Sequence, residues 1–97
     1  MMSTLVDPGW AGIVEVLVQG LDGTVRWEPD WVVLLLPDHP YDDRLADLDA
    51  LRLCLGRIGA PVVFDASRVI LPDAPLVEFL MKLVESGLMV NGGRWAA

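Results

Sequence analysis

Two short apolar runs separated by a helix-length segment constrain the fold of this chain more than any other feature. The runs are Trp31 to Leu36 and Val62 to Asp65, and both have the length of a strand. Between them, a leucine or isoleucine recurs every three or four residues, which predicts an amphipathic helix over Asp43 to Ile58. Its expected core-facing stripe consists of Leu45, Leu48, Leu51, Leu55 and Ile58. Because a helix joins the two strands, we expect a right-handed βαβ unit with parallel strands.

The run from Trp31 to Leu36 is continuously apolar rather than alternating. This pattern predicts a central strand that is covered on both faces, or covered by helices on one face and by another molecule on the other. At the ends of the first helix, Asp42 or Asp43 is suited to cap the N-terminus, and Gly59 to end the helix.

A second helix is predicted after the second strand. Asp73 is a plausible N-cap, and Pro75 suits the first turn. One stripe of this helix is formed by Leu76, Phe79, Leu80 and Leu83. The adjoining face carries Val77, Met81 and Val84, which suggests a packed surface. Ser86-Gly87 ends the helix, and Leu88 to Asn91 is expected to form a last short strand.

The N-terminal third predicts a β-hairpin. Ile13 to Val18 is short and rich in β-branched residues, which favours a strand. Asp22-Gly23 is a hairpin signal, Thr24 to Trp27 is the expected returning strand, and Glu28-Pro29-Asp30 should break it. The expected fold is therefore α/β: a small mixed β-sheet, made of an N-terminal hairpin plus a βαβα segment, with two helices packed on one face. Residues 1–97 form one domain, with flexible tails at 1–9 and 92–97.

Composition and charge narrow the range of possible partners and cellular locations. The chain has 97 residues and a net charge of −7, and its seven lysines and arginines are scattered. This argues against nucleic acid as a partner, since phosphate binding needs a cationic footprint. The acidity serves solubility or contact with a basic protein. Cys54, the single cysteine, lies among leucines and should be a buried, inert thiol. No signal peptide and no membrane-length apolar run is present, so we expect a cytoplasmic protein without membrane insertion.

The chain is poor in catalytic groups. His39 is the only histidine, and Asp38 and Asp42 beside it lack the ligand spacing of a metal centre. A solvated acidic loop is the favoured interpretation. No serine lies on a nucleophile-elbow pattern and no phosphate-binding loop occurs, so we expect no catalytic residue, no metal and no cofactor.

The bend after the second strand carries Asp65, Ser67 and Asp73. These side chains form either a recognition site at the edge where the two strands end, or local turns and a helix cap. The four tryptophans, Trp10, Trp27, Trp31 and Trp95, also have two interpretations, as core residues or as anchors at an interface.

The order of these segments resembles the STAS domain, the anti-sigma-factor-antagonist fold. The match runs over roughly residues 31 to 90: WVVLLLPD, an amphipathic helix, then VVFDASRVILPDAPLVEFLMKL. Val62 to Ser67 corresponds to the family's strand and Asp-x-Ser-like segment, and Val69 to Leu76 to its helix start. The family's phosphorylatable hydroxyl falls at Ala74 and its small glycine at Pro75. The resemblance therefore implies a shortened relative that binds a protein without a phosphorylation switch.

The leading hypothesis is a non-catalytic protein-interaction or regulatory module of this type. Its expected partner-binding residues are Asp65, Ser67, Asp73, Val77, Met81 and Val84. Two alternatives remain, a subunit of a homo- or hetero-oligomeric assembly and a small acidic inhibitor of a basic protein. The expected partner is another protein or a second copy of the chain.

Overall fold

The protein is described by a computed structural model that covers residues 8–38 and 40–90. These residues form three helices and four strands. In chain order the elements are α1 Pro8–Gly20, β1 Thr24–Trp27, β2 Val32–Leu35, α2 Leu45–Leu55, β3 Val62–Asp65, α3 Ala74–Glu85 and β4 Met89–Val90. The predicted α/β class is confirmed. Of the two predicted tails, residues 1–7 and 92–97 lie outside the described residues, and the assignment of Pro8 and Gly9 to a tail is wrong because both belong to α1.

The four strands form one mixed sheet in the order β1-β2-β3-β4. β1 is antiparallel to β2, and β2, β3 and β4 are mutually parallel along the order. In the central pair, Val32 lies opposite Val62 and Leu35 opposite Asp65. The predicted βαβ unit and the short last strand are thus confirmed, and both loops that leave β2 and β3 start at the same edge.

The core lies between one face of the sheet and all three helices. Side chains alternate in direction along a strand. Those that point to the helices are fully buried: Val32 and Leu34 of β2, and Val62 and Phe64 of β3. The helices contribute Val14, Val18, Leu48, Leu51, Cys54, Leu55, Leu76, Phe79, Leu80 and Leu83 to the same cluster. Cys54 is buried as predicted. Two helices were expected on this face, and α1 is the third.

The predicted strand Ile13–Val18 is wrong, because these residues form part of α1, in which Pro8 and Gly9 make the first turn. β-branched residues are disfavoured in a helix by only about 0.5 kcal/mol each. Val14 and Val18 lie on the same helix face and are fully buried, which stabilises the helix by roughly 1.5–3 kcal/mol per side chain. Burial against the core therefore outweighs the local strand preference.

The prediction of a hairpin turn at Asp22-Gly23 is also wrong, since these two residues follow α1 and terminate it. Asp22 has a left-handed backbone with φ of 61°. Its N–H donates to the Gln19 carbonyl, and the Gly23 N–H donates to the Val18 carbonyl at 2.9 Å. These are the two bonds of a Schellman motif. A dipeptide that tolerates positive φ serves a helix end as well as a hairpin turn, so the local signal was ambiguous.

The actual hairpin joins β1 to β2 through residues 28–31. Trp27 pairs with Val32, and the Glu28 N–H donates to the Trp31 carbonyl at 2.9 Å. The predicted break at Glu28-Pro29-Asp30 is confirmed, since β1 ends at Trp27 and this segment makes the turn. Proline lacks a backbone N–H, but no strand hydrogen bond is lost at this position. Thr24–Trp27 is a strand as predicted, but its partner is β2.

The helix α2 is shorter than predicted. It begins at Leu45, and its N-cap residue is Arg44 rather than Asp42 or Asp43, with no side-chain cap bond. The Arg44 N–H donates to the Tyr41 carbonyl at 3.0 Å, so residues 41–44 form a turn before the helix. Leu45 is consequently 55% exposed, whereas the other four residues of its predicted stripe are buried.

The helix α3 has the predicted ends. The Asp73 side chain accepts a hydrogen bond from the Leu76 N–H, and Pro75 lies in the first turn. At the other end, Gly87 has φ of 73° and the Leu88 N–H donates to the Leu83 carbonyl at 3.0 Å. Glycine adopts this left-handed conformation without the cost that a Cβ brings, which allows the chain to turn into β4.

Three of the tryptophans lie among the described residues. The indole N–H of Trp27 donates to the Glu15 carboxylate at 2.5 Å, joining β1 to α1. Trp10 stacks under the Arg57 guanidinium at 5.3 Å, joining α1 to α2. Both are half-buried, whereas Trp31 is exposed on the hairpin. Trp95 lies outside the described residues.

Gly23 generates a stability prediction. A Cβ at this position would lie 2.5 Å from the Leu35 carbonyl oxygen and 2.8 Å from a Leu36 methyl carbon. We expect Gly23→Ala to lower the free energy of unfolding by about 2 kcal/mol or more, measured by urea denaturation, because the backbone of β2 must shift. Gly56→Ala is the matched control, since Gly56 has φ of −68° and its nearest contact would be 3.4 Å. An equal loss in the two variants would contradict the packing argument.

Candidate functional site

The candidate site is the carboxyl edge, defined as residues 36–44 after β2 and residues 65–73 at and after the end of β3, without His39, which lies outside the described residues. Because β2 and β3 are parallel neighbours, both loops leave the sheet at this edge. Carboxyl ends of adjacent parallel strands are a common location for binding sites in α/β proteins.

Asp38 joins the two loops. Its Oδ2 accepts hydrogen bonds from the backbone N–H groups of Ile70 at 3.1 Å and of Leu71 at 3.4 Å. Bonds from two consecutive amides to one carboxylate oxygen restrain the backbone at these positions. The second loop is therefore fixed by a residue 32 positions earlier in the chain.

Asp73 makes the reciprocal connection. Its Oδ2 accepts from the Tyr41 N–H at 2.6 Å, and its Oδ1 accepts from the Leu76 N–H at 3.1 Å. One half-buried carboxylate thus caps α3 and holds the first loop at the same time.

Tyr41 fills the space beneath the two loops. Its side chain is fully buried, and its hydroxyl donates to the Pro37 carbonyl at 2.7 Å. Burial raises the pKa of this hydroxyl from 10.0 to about 12, and the negative charges of Asp73 and Asp38 add to the effect. The ring therefore remains neutral at physiological pH and acts as a packing residue of the edge.

Ile70 and Leu71 are the most exposed large apolar residues in the described part of the chain. Each side chain is 82% exposed, although the backbone of both residues is held by Asp38. Two adjacent, exposed branched aliphatic side chains on a restrained loop form a small apolar patch, and apolar patches are a feature of contact surfaces. Neither residue was among the predicted site residues.

The three polar residues predicted for this edge do lie there. Asp65 ends β3, and its Oδ1 accepts from the Ser67 N–H at 2.9 Å. Asp73 caps α3, as described above. The structure thus provides the local turn and cap that were the alternative interpretation of these residues, and it brings the three to one edge.

The three apolar predicted residues lie on the outer side of α3. Val77 is half-buried, and Met81 and Val84 are half exposed. Val77 and Met81 line an open hollow of about 390 Å³ together with Ala74, Glu78, Lys82 and Glu85. A second open hollow of about 360 Å³ lies between α2 and α3 and carries Asp49, Arg52, Glu78 and Lys82, so its charges are balanced.

The described residues contain neither a metal-binding cluster nor a membrane-spanning helix. Within residues 8–38 and 40–90, no group of three histidine, cysteine or carboxylate side chains is placed to hold a metal ion. Over the same ranges, no helix has both the length and the apolarity needed to span a membrane.

Comparison of this chain with protein-family models, with curated proteins and with solved structures gives no match. The resemblance to the STAS domain therefore stays a prediction from the residues quoted above.

The single tyrosine of the chain allows a direct test of the packing beneath the edge. Tyr41 binds its proton more tightly in the folded state, so its stabilisation is complete below pH 10 and is lost as the pH rises toward 12. We expect the free energy of unfolding to fall by about 3 kcal/mol over this range, followed together with the ultraviolet absorbance of tyrosinate. Tyr41→Phe should remove this alkaline component. A tyrosinate midpoint near 10 in the folded protein would contradict the buried position.

Asp73 generates a second test at this edge. Asp73→Ala removes both the cap of α3 and the acceptor for Tyr41, so we expect a loss of about 2 kcal/mol in the free energy of unfolding. Asp73→Asn keeps one acceptor oxygen and should cost less. Ser67→Ala is the control, because Asp65 binds the backbone N–H of Ser67, which this substitution retains. The prediction fails if Ala and Asn at position 73 unfold at the same urea concentration as the unchanged chain.

Proposed function

We propose that this protein is a non-catalytic protein-interaction module of STAS-like type that works without a phosphorylation switch. The observation that carries the proposal is the exposure of Ile70 and Leu71 on a loop that Asp38 holds in place. The mixed sheet and the two loops at its carboxyl edge support it, since the resemblance assigns recognition to this region.

Restraint of the loop favours binding. An interface gains most from apolar anchors whose conformation is set before the partner arrives, because less entropy is lost on association. Full burial of one aliphatic side chain of this size contributes roughly 1.5–3 kcal/mol. Two such anchors, held by the bonds to Asp38, would contribute about 3–6 kcal/mol together, and the contacts around them must supply the rest because association itself costs several kcal/mol.

The carboxylates of the edge serve mainly to shape it in this proposal. Asp38 and Asp73 use their oxygens to fix the two loops to each other. Asp65 fixes the turn at the end of β3. Recognition then depends on the apolar side chains that this framework presents.

Ala74 supports the absence of a switch. It is the first residue of α3 and is exposed, at the position where the resemblance places the family's hydroxyl. An alanine side chain cannot accept a phosphoryl group. Regulation by phosphorylation at this position is therefore no part of the proposal.

A second candidate function is that of a subunit in an oligomeric assembly. Met81 and Val84 favour it, because both are apolar, half exposed and on one helix. Light scattering of Met81→Ser/Val84→Ser separates the two functions, since only a subunit that assembles through these residues loses its oligomer in this variant.

The double variant Ile70→Ser/Leu71→Ser tests the proposed function. A protein captured by the full chain from its native host is purified and titrated against unchanged and variant chains by calorimetry. We expect the variant to keep its fold and to bind at least about tenfold more weakly, because two central apolar anchors are lost.

Leu53→Ser is the matched control, since Leu53 is 56% exposed on α2 and lies outside the carboxyl edge. It should leave the affinity unchanged. Equal affinity of the double variant and the unchanged chain would refute the assignment of the contact to Ile70 and Leu71.

A further inference from the structure

The solvent-facing side of α1 differs from the rest of the protein because it carries no charge. The exposed residues of α1 form what we name the neutral face: Gly9, Gly12, Ile13, Val16, Gln19 and Gly20. The only charged residue of the helix is Glu15, and its carboxylate is bound by the Trp27 indole. The chain as a whole has a net charge of −7.

The neutral face also exposes large apolar side chains. Val16 is 70% exposed and Ile13 is 44% exposed, one helical turn apart. The opposite side of α1 is occupied by the core, to which Val14 and Val18 belong. Among residues 8–38 and 40–90, no element covers Val16.

From this distribution we infer that the neutral face of α1 is a contact between two copies of this chain. Two copies that each have a net charge of −7 repel each other, and the repulsion is least where uncharged surfaces meet. A basic partner would gain nothing from a face without carboxylates. A second copy, by contrast, offers the same uncharged apolar surface, as a two-fold contact requires.

The spacing along α1 fits an antiparallel pair. Gly12, Val16 and Gly20 are four residues apart and share one side of the helix. With the two-fold axis at Val16, Val16 meets Val16 of the partner subunit, and Gly12 meets Gly20 of the partner subunit. A Cβ at Gly12 or at Gly20 would have nothing within 4 Å, so packing within the chain does not require either glycine. The absence of side chains lets two helices approach closely.

Charged side chains from other elements lie at the two ends of the neutral face. Arg57 lies beside the N-terminal end of α1, over Trp10. At the C-terminal end, Arg44 donates to the Gly20 carbonyl at 2.6 Å and lies 3.9 Å from Asp47. An antiparallel arrangement brings Arg57 toward both Arg44 and Asp22 of the partner subunit, so these charges do not set the direction. The glycines set the geometry, while the exposed valine and isoleucine between the two ends carry the inference.

Sedimentation equilibrium of the full chain over a wide concentration range tests the contact. We expect a monomer–dimer equilibrium in which Val16→Lys raises the dissociation constant at least about 100-fold, because it places two lysines against each other on the axis. Leu53→Lys adds the same charge at an exposed leucine of α2 and should leave the constant unchanged. A monomer at all concentrations, an unchanged dimer in Val16→Lys, or equal weakening by Leu53→Lys would overturn the inference.

Cysteine cross-linking gives a readout that does not depend on the lysine variant. A residue on the two-fold axis meets itself, so Val16→Cys should form a covalent dimer on mild oxidation, whereas Leu53→Cys should not. Cys54, the only native cysteine, is buried and does not compete. Cross-linking of both variants to the same extent, or flotation of a monomeric unchanged chain with phosphatidylcholine vesicles, would count against a second copy as the occupant. The contact is separate from the carboxyl edge, so failure of either proposal leaves the other intact.

Discussion

Parallel pairing of β2 with β3 is the constraint on which the rest of the structure depends. The register that sets Leu35 opposite Asp65 brings the two following loops together at one edge. It also directs Leu34 and Phe64 toward the same side, where the three helices cover them. A shift by one residue would turn these side chains to the opposite face and separate Asp38 from the loop that it holds. The core and the candidate site therefore both depend on the register between β2 and β3.

The carboxyl edge uses charged residues as structural links and apolar residues as the exposed surface. Asp38 and Asp73 each accept two backbone hydrogen bonds, and both bonds of Asp38 and one bond of Asp73 span 32 or 33 positions of the chain. Ile70 and Leu71, which a folding chain would ordinarily bury, are instead turned to solvent. The contact proposed at the edge rests on this reversal of the common distribution.

Sequence reasoning succeeded where local signals and tertiary packing agree. The ends of α3 followed from Asp73, Pro75 and Gly87, whose chemistry acts within a few residues. It failed at Ile13–Val18, because the β-branched residues that favour a strand locally are buried as one face of a helix. The exposed pair Ile70 and Leu71 was missed for a related reason. Their hydrogen bonds to Asp38 join segments that are distant in sequence, and no local sequence pattern in either segment predicts such bonds.

Distribution of charge separates the two proposed contacts. Exposed carboxylates surround the carboxyl edge, with Asp42 and Asp43 in its first loop, whereas α1 presents a surface with none. Association at the edge depends mainly on the burial of Ile70 and Leu71, so salt should change its strength little. Self-association through α1 should strengthen with salt, because salt screens the repulsion between two acidic chains. The two proposed contacts lie on different elements and differ in their dependence on ionic strength, so each can be tested without the other.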